Sequence, residues 1–171
     1  MTTEPNTPAQ TPEASQKDLV ILPVTMSDIV AQIEAEKLQR AALRPANKSA
    51  VFAALAGAGI ASVIIPFDGY GDNGQIENIE ARDRANGAVR LPDATISIVT
   101  IVWGQHEPEA RTMTVGEAIE HLVYDALNQT HGGWENNEGA YGEFIFDVAA
   151  GEIRLDYNER ITATEFYSHT F

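Results

Sequence analysis

Two loops of the sequence combine carboxylates, amides and glycines, which are residue types that bind cations or basic groups. The first, DGYGDNGQIE, spans residues 68–77, and the second, WENNEGAYGE, spans residues 134–143. Glycine permits positive φ angles and a close approach of backbone carbonyls to a ligand, and sites built from oxygen atoms suit Ca²⁺ or Mg²⁺. The candidate metal ligands are Asp68, Asp72, Glu77, Glu135 and Glu138, with the amide of Asn136 beside them.

The same loops can also be interpreted as turns. Asp-Gly and Asn-Asn-Glu-Gly are ordinary turn sequences. An EF-hand begun at Asp68 would place Tyr70 at the third ligand position and Asn73 where glycine is required, so that pattern fails. The residues therefore favour turns over a metal site, and we predict no cofactor, with Ca²⁺ or Mg²⁺ as the alternative.

A third polar cluster, DYNER at residues 156–160, ends a predicted strand. Two carboxylates, an amide and a guanidinium could form half of an acid/base site. Arg160 would then hold an anion or orient a carboxylate. A salt-bridged turn explains the same residues, and it is the interpretation that we favour.

Signals for catalysis are otherwise weak. The histidines at positions 106, 121, 131 and 169 form no HExxH or HxH pair, and the chain has no cysteine. We find no GxSxG nucleophile motif, no GxxxxGK[ST] loop and no strand-linked GxGxxG. The sequence therefore favours a protein without enzymatic activity.

The charge of the chain is strongly negative and unevenly placed. The net charge is -14, and residues 113–171 carry eleven acidic and two basic side chains. Such a field repels nucleic acid and anionic membranes and attracts cations or basic protein surfaces. We therefore predict no direct nucleic-acid binding, no membrane association and a basic protein surface as partner. The start of the sequence has no leader-like pattern, which predicts the cytoplasm.

The N-terminal part is predicted to contain a tail and two helices. Residues 1–18 are poor in large apolar side chains, which predicts a disordered tail, and residues 19–171 are predicted to form one domain. A capping box at Thr25 begins a helix that should run to about Leu43. Pro45 should end it, and a second helix should follow over residues 46–56, closing a helical part at 25–58. The apolar side chains expected to face inward are Ile29, Val30, Ile33 and Leu38.

The remainder, about residues 60–171, is predicted to form the sheet. Strands are expected at ASVIIPFD, QIENIEAR and ATISIVTIVW, and a helix follows the capping box at Thr114. GEFIFDV and EIRLDY should pair as a hairpin around Gly151, and TATEFYSHTF should be a last extended piece. The predicted class is α+β, with an antiparallel, or alternatively mixed, sheet of about five to six strands and helices packed on one face.

Three stretches together resemble a known family: GDNGQIE at 71–77, GGWENNEGAYGEFIFDV at 132–148 and LDYNER at 155–160. The chain is similar, over about residues 60–171, to an uncharacterised domain family of small bacterial, phage and plasmid proteins with GDSGxIE-like, GGWENNxGAYG-like and DYNxR-like motifs. Asn73 stands where that family has serine, which argues against a nucleophile there. The resemblance implies a mobile element, and such elements encode acidic proteins that block host defence enzymes by placing carboxylates where DNA phosphates would bind.

These observations predict a non-enzymatic acidic binding protein of a mobile element, an anti-defence inhibitor or DNA mimic acting on a basic protein such as a nucleic-acid-binding one. The alternative is a divalent-cation protein or a metal-dependent hydrolase acting on a phosphate. Trp134 should either cover the core, the favoured role, or form a binding platform. The oligomeric state is open. The predicted binding surface is Asp68, Tyr70, Asp72, Glu77, Trp134, Glu135, Asn136, Asn137, Glu138, Tyr141, Asp156, Asn158 and Arg160.

Overall fold

The protein has an α+β fold, as predicted. A computed structural model describes residues 25–102 and 107–171, so the predicted tail at 1–18, residues 19–24, Trp103 and His106 lie outside the described part. The elements, in chain order, are α1 (Met26–Gly57), β1 (Ile60–Tyr70), β2 (Asn73–Ile76), β3 (Glu80–Asp83), β4 (Ala88–Val89), β5 (Thr95–Thr100), β6 (Glu109–Thr114), α2 (Val115–Thr130), β7 (Ala140–Asp147) and β8 (Glu152–Glu159).

A six-stranded sheet is the centre of the fold. Its order is β4-β3-β1-β7-β8, with β2 added beside β1, and every pairing is antiparallel. The long strand β1 pairs with β7 along one side and with β3 and then β2 along the other. Positive φ angles at Gly71 and Asp72 form the tight turn between β1 and β2. The predicted antiparallel sheet and its strand number are confirmed.

The core lies between one face of this sheet and the two helices. Strand residues alternate between its two faces, so every second side chain of β1 and β7 packs inward. Phe52 of α1 stacks on Phe146 of β7 with ring centroids 5.6 Å apart. The fully buried apolar side chains are Val51, Leu55, Val63, Ile65, Phe67, Ile98, Val115, Ile119, Val123, Leu127, Phe144 and Phe146.

Helix α1 is one helix of 32 residues with Pro45 inside it, so the predicted break is wrong. Proline removes the amide that would bond to the carbonyl four residues earlier, and its ring crowds that carbonyl. The flanking turns are held from outside, because the Arg44 guanidinium binds Asp125 of α2 and the Asn47 amide binds Val99 of β5. Tertiary contacts therefore outweigh the local preference against helix at Arg44.

The predicted inward face of the first half of α1 is also wrong. Ile29, Val30, Ile33 and Leu38 are exposed, and Leu38 retains 73% of its accessible surface. The buried residues of α1 all lie after Pro45, so the second half of the helix is the part that joins the core. Within residues 25–102 and 107–171, no helix is both long enough and apolar enough to cross a membrane.

Several strand predictions need correction. QIENIEAR does not form one strand, because residues 77–79 separate β2 from β3. The strand within ATISIVTIVW, β5, belongs to a separate two-stranded sheet with β6, a strand that the polar sequence EARTMT did not indicate. TATEFYSHTF, which was predicted only as a last extended piece, pairs with no strand and is exposed throughout.

The second half of the fold matches its local sequence signals. At the start of α2, the Thr114 hydroxyl accepts a hydrogen bond from the Glu117 amide at 3.2 Å, and the Glu117 carboxylate accepts one from the Thr114 amide at 2.7 Å. This is the predicted capping box. The β7–β8 hairpin also forms as predicted, with Gly151 at positive φ in its turn.

Candidate functional site

The two Gly-rich loops and the end of β8 meet at one end of the sheet. The Gly71 amide donates to the Asn137 carbonyl at 2.9 Å, and the Asp72 amide donates to the Glu135 carbonyl at 3.1 Å. In return the backbone amide of Asn137 donates to the Asp72 carboxylate at 3.3 Å. We call residues 68–77, residues 132–141 and Arg160 the loop junction.

Trp134 is the apolar centre of the loop junction. Its side chain is 6% exposed and meets Phe67 edge-on with ring centroids 5.4 Å apart. Gly69 and Gly74 lie flat against the indole, and a Cβ at Gly69 would fall 2.7 Å from the ring. These glycines are therefore needed to seat Trp134, and the burial of the ring favours the core role over a binding platform.

Arg160 joins the end of β8 to β1. Its Nη1 donates to the Gly69 carbonyl at 2.7 Å, and its Nη2 donates to the two Asp68 carboxylate oxygens at 2.9 and 3.1 Å. The guanidinium also lies over the Tyr141 ring, 4.8 Å from its centroid. Arg160 thus forms its salt bridge with a distant strand and not within the DYNER cluster.

Glu77 and Asn158 of the predicted surface make local polar contacts. The Glu77 carboxylate accepts a hydrogen bond from Gln75 at 2.9 Å, and the Asn158 amide donates to the Tyr141 carbonyl at 3.4 Å. Tyr70 is 64% exposed at the tip of the β1–β2 turn. Asn136, Asn137, Glu138 and Asp156 of the predicted surface also have exposed side chains.

Glu135 and Tyr157 lie at the inner side of the loop junction. One Glu135 carboxylate oxygen is buried and has no hydrogen-bond donor among the described residues. Burial, followed by the charges of Glu159 and Glu135, raises the pKa of Tyr157. His131 stacks on the Tyr157 ring with centroids 3.7 Å apart, which places this histidine in packing contact with β8.

The carboxylates of the loop junction do not converge as metal ligands. In the described part of the chain, no three side chains of the His, Asp or Glu types form a group that could hold a metal ion. Asp68 is paired with Arg160, Asp72 accepts from the Asn137 amide, and Glu77 accepts from Gln75. Asp68 and Asp72 therefore hold separate segments of the loop junction together, and Glu77 is engaged within its own segment.

A different set of carboxylates covers the side of the sheet that faces away from the helices. Alternation along β1, β7 and β8 places their outward side chains in one layer of neighbouring rows. We call this layer the outer face. Asp68 and Tyr141, at one end of this layer, belong to the loop junction; the members of the outer face are Ser62, Ile64, Pro66, Glu143, Ile145, Asp147, Glu152, Arg154, Asp156 and Asn158.

Like charges lie directly opposite each other on the outer face. Glu143 of β7 pairs in register with Asp156 of β8, and Asp147 pairs with Glu152. Arg154 lies between these pairs on β8, opposite Ile145, and contacts the Asp156 carboxylate at 3.1 Å. Since like charges directly opposite are destabilising, these two pairs carry a cost. Arg154 and the Ala150 amide, which donates to the Asp147 carboxylate at 2.9 Å, offset it only in part.

An apolar strip runs through the middle of the outer face. Ile64 of β1 lies opposite Ile145 of β7, and Pro66 lies opposite Glu143. All three apolar side chains are half-buried, and carboxylates flank them. Apolar residues surrounded by polar and charged ones form the usual layout of a protein-binding surface.

Three outer-face carboxylates, Glu143, Asp147 and Glu152, were not among the predicted binding residues. The signal for them is present in the sequence, because the β7–β8 hairpin is predicted and its turn at Gly151 fixes which residues oppose each other. Alternation then places Glu143 and Asp147 on the same face as Asp156. The predicted binding residues came from the two loops and the end of β8, so these three carboxylates were not among them.

A second polar cluster lies where α1, α2 and β5 meet. The Asn47 side chain donates to the Val99 carbonyl and accepts from the Val99 amide, both at 2.8 Å, as a neighbouring strand would. Arg44 and Asp125 form a salt bridge of 3.0 Å. Burial lowers the pKa of His121, and the nearby Asp125 charge opposes this only in part. These contacts fasten α1 to its neighbours and indicate a structural role.

One comparison with known proteins gave a match. Residues 43–171 match the model of a family described as a family of unknown function, DUF6878. This confirms the predicted resemblance to an uncharacterised domain family. No curated protein and no solved structure matches the chain.

Proposed function

Because the chain belongs to the family of unknown function DUF6878, whose description gives no activity, we propose a function from the surface of the fold. The protein is a non-enzymatic acidic binding protein, and its outer face binds a basic protein surface. A nucleic-acid-binding site of a defence or regulatory protein is the partner of this kind that fits best, and the cytoplasm and a mobile element are the setting that we propose.

One observation carries this proposal: the two rows of opposed carboxylates, Glu143 with Asp156 and Asp147 with Glu152. Opposed like charges cost stability in the free protein. A partner that places lysine or arginine between them removes that repulsion and gains the attraction. A cationic partner therefore stabilises the two opposed carboxylate pairs more than water alone does.

The spacing of the rows supports a broad partner surface. Neighbouring strands lie about 4.8 Å apart, and alternate residues along a strand are about 6.6 Å apart. The carboxylates are therefore spread in two dimensions over the outer face, which suits several cationic side chains more than one ion. A protein that binds phosphates with a field of lysines and arginines has the complementary arrangement.

The apolar strip supports a protein partner over a simple polycation. Ile64, Pro66 and Ile145 offer apolar contact at the middle of the acidic rows. Burying such a centre stabilises a complex, while the charged rim steers the partner and sets orientation.

The experiment compares two triple variants with the same change in charge. Glu143→Lys, Glu152→Lys and Asp156→Lys alter the outer face, whereas Glu34→Lys, Asp93→Lys and Glu120→Lys alter exposed acids on α1, before β5 and on α2. Affinity is measured by calorimetry with poly-lysine, and by displacement of duplex DNA from a basic DNA-binding protein. We expect the outer-face variant to lose at least about tenfold in affinity, or about 1.4 kcal/mol, and the control to lose much less.

Equal losses in the two variants would show that only net charge matters and would contradict the proposal. The same titrations with EDTA, with Ca²⁺ and with Mg²⁺ address the divalent-cation alternative. Binding through the outer face needs no added cation, so a requirement for Ca²⁺ or Mg²⁺, abolished by Asp72→Ala, would favour that alternative.

A further inference from the structure

Strand β8 forms one edge of the six-stranded sheet. Among the described residues it pairs on one side only, with β7. The Arg160 amide donates to the Gly139 carbonyl of the β7 side, which fixes the direction of every backbone group in β8. Even-numbered residues direct their amides and carbonyls to β7, so Ile153, Leu155 and Tyr157 direct theirs to the open edge.

We propose that β8 pairs with β8 of a second copy of this chain, antiparallel and about a two-fold axis at Leu155. In this register Leu155 lies opposite Leu155 of the second copy, and Ile153 lies opposite its Tyr157. All three residues have their amides and carbonyls at the open edge, so the hydrogen-bonding sides match. An unpaired edge is a template for such pairing, and a two-fold interface must be self-complementary.

The charges of β8 select this register over its neighbours. With the axis at Leu155, Arg154 lies opposite Asp156 of the second copy, and symmetry repeats this pair. With the axis at Arg154, that residue would oppose itself and Glu152 would oppose Asp156. With the axis at Asp156, two Asp156 carboxylates would meet. Because opposite charges across strands stabilise and like charges destabilise, the register about Leu155 is favoured over both. An axis at Ile153 would place Arg154 opposite Glu152, but it would pair only residues 152–154 of β8, whereas the axis at Leu155 pairs residues 152–158.

The inward side of β8 also has apolar surface for a second copy. Ile153, Leu155 and Tyr157 are only half-buried. Ile153 and Leu155 line a groove of about 290 Å³, whose walls include Phe144 of β7 and Leu122 of α2. Continuing the sheet across β8 would place apolar side chains of the second copy beside this groove and remove its open end from water.

This inference does not depend on the proposed function, although it has a consequence for it. Pairing through β8 would make one continuous sheet from the two copies. Their outer faces would lie side by side, because the two-fold axis relates residues on the same face of the sheet.

The test uses two single charge reversals. Each alone should weaken the dimer, and the two variants mixed should dimerise with each other. Arg154→Asp leaves aspartate at both 154 and 156, and Asp156→Arg leaves arginine at both. We expect the wild-type protein to be a dimer by sedimentation equilibrium, and each variant alone to dimerise at least about tenfold more weakly. An equal mixture, with one variant tagged, should form a mixed dimer that co-elutes, because each arginine then opposes an aspartate.

Folding is checked by circular dichroism. If a single variant does not fold, the double variant R154D/D156R decides, since it exchanges the charges and keeps the pairing; a dimer as strong as wild type is expected. A wild-type monomer at all concentrations, a dimer that neither single reversal weakens, or variants whose mixture stays monomeric would overturn the proposal.

Discussion

The loop junction and the outer face both contain carboxylates, but those that join segments of the loop junction have partners, whereas those of the outer face lie opposite each other. In the loop junction, Asp68 is paired with Arg160 and Asp72 with the Asn137 amide. On the outer face, Glu143 and Asp156 oppose each other in register. The most distinctive motifs of this sequence therefore hold the fold together, whereas the outer face, whose opposed like charges cost stability, is the better candidate for binding.

The largest effect on stability is expected for Trp134→Ala. Removing a buried tryptophan leaves a cavity and loses apolar contacts, so we expect a loss of about 3–5 kcal/mol in the free energy of unfolding. Urea unfolding followed by circular dichroism measures it. Tyr70→Ala in the same junction is the control and should change stability by less than about 0.5 kcal/mol, because Tyr70 is largely exposed. Similar losses in both would contradict the core role of Trp134.

A smaller loss is expected for Gly139→Ala. Gly139 has a φ of 67°, and a Cβ there would collide with the Gly69 carbonyl. Left-handed strain and overpacking together should cost about 2–4 kcal/mol in urea unfolding. Gly71→Ala is the matched control, because Gly71 has a φ of 61° with open space around its Cβ position. That variant should lose only about 1–2 kcal/mol, and equal losses would show that the close contact has no effect.

The smallest expected change in the free energy of unfolding is a gain, not a loss. Glu143→Lys replaces a like-charge pair with an opposite-charge pair across from Asp156, so we expect stability to rise by about 0.2–1 kcal/mol. Salt screens this effect, and the difference from wild type should shrink when urea unfolding is repeated at high NaCl. Glu120→Lys, on an exposed part of α2, is the control. A clear destabilisation by Glu143→Lys would remove the argument that the outer face sacrifices stability.

Local sequence signals predicted much of the fold. The capping boxes at Thr25 and Thr114 and the turn at Gly151 involve residues within a few positions of each other, and all three form. The helix through Pro45 was not predictable, since Asp125 and Val99, which hold its neighbours, are far away in the sequence. Strand β6 was missed because its side chains are polar and mostly exposed.

The candidate site was predictable to a similar extent. The two Gly-rich loops and the DYNER cluster were identified from their residue types, but the hydrogen bonds between the loops depend on β1 and β7 being neighbours. The pairing of Asp68 with Arg160 spans 92 positions and has no local signal. The rows of the outer face, in contrast, follow from the predicted hairpin, and they were missed by attention to loops.

The course of α1 has a kinetic consequence for the free protein. Its residues before Pro45 are mostly exposed, whereas Val51 and Leu55 are fully buried. We therefore expect backbone amides of the first half to exchange with solvent through local fraying, and those near Val51 to exchange when the whole domain opens. Pro45 has no amide to exchange and marks the boundary between them. One continuous helix thus contains two units of cooperativity.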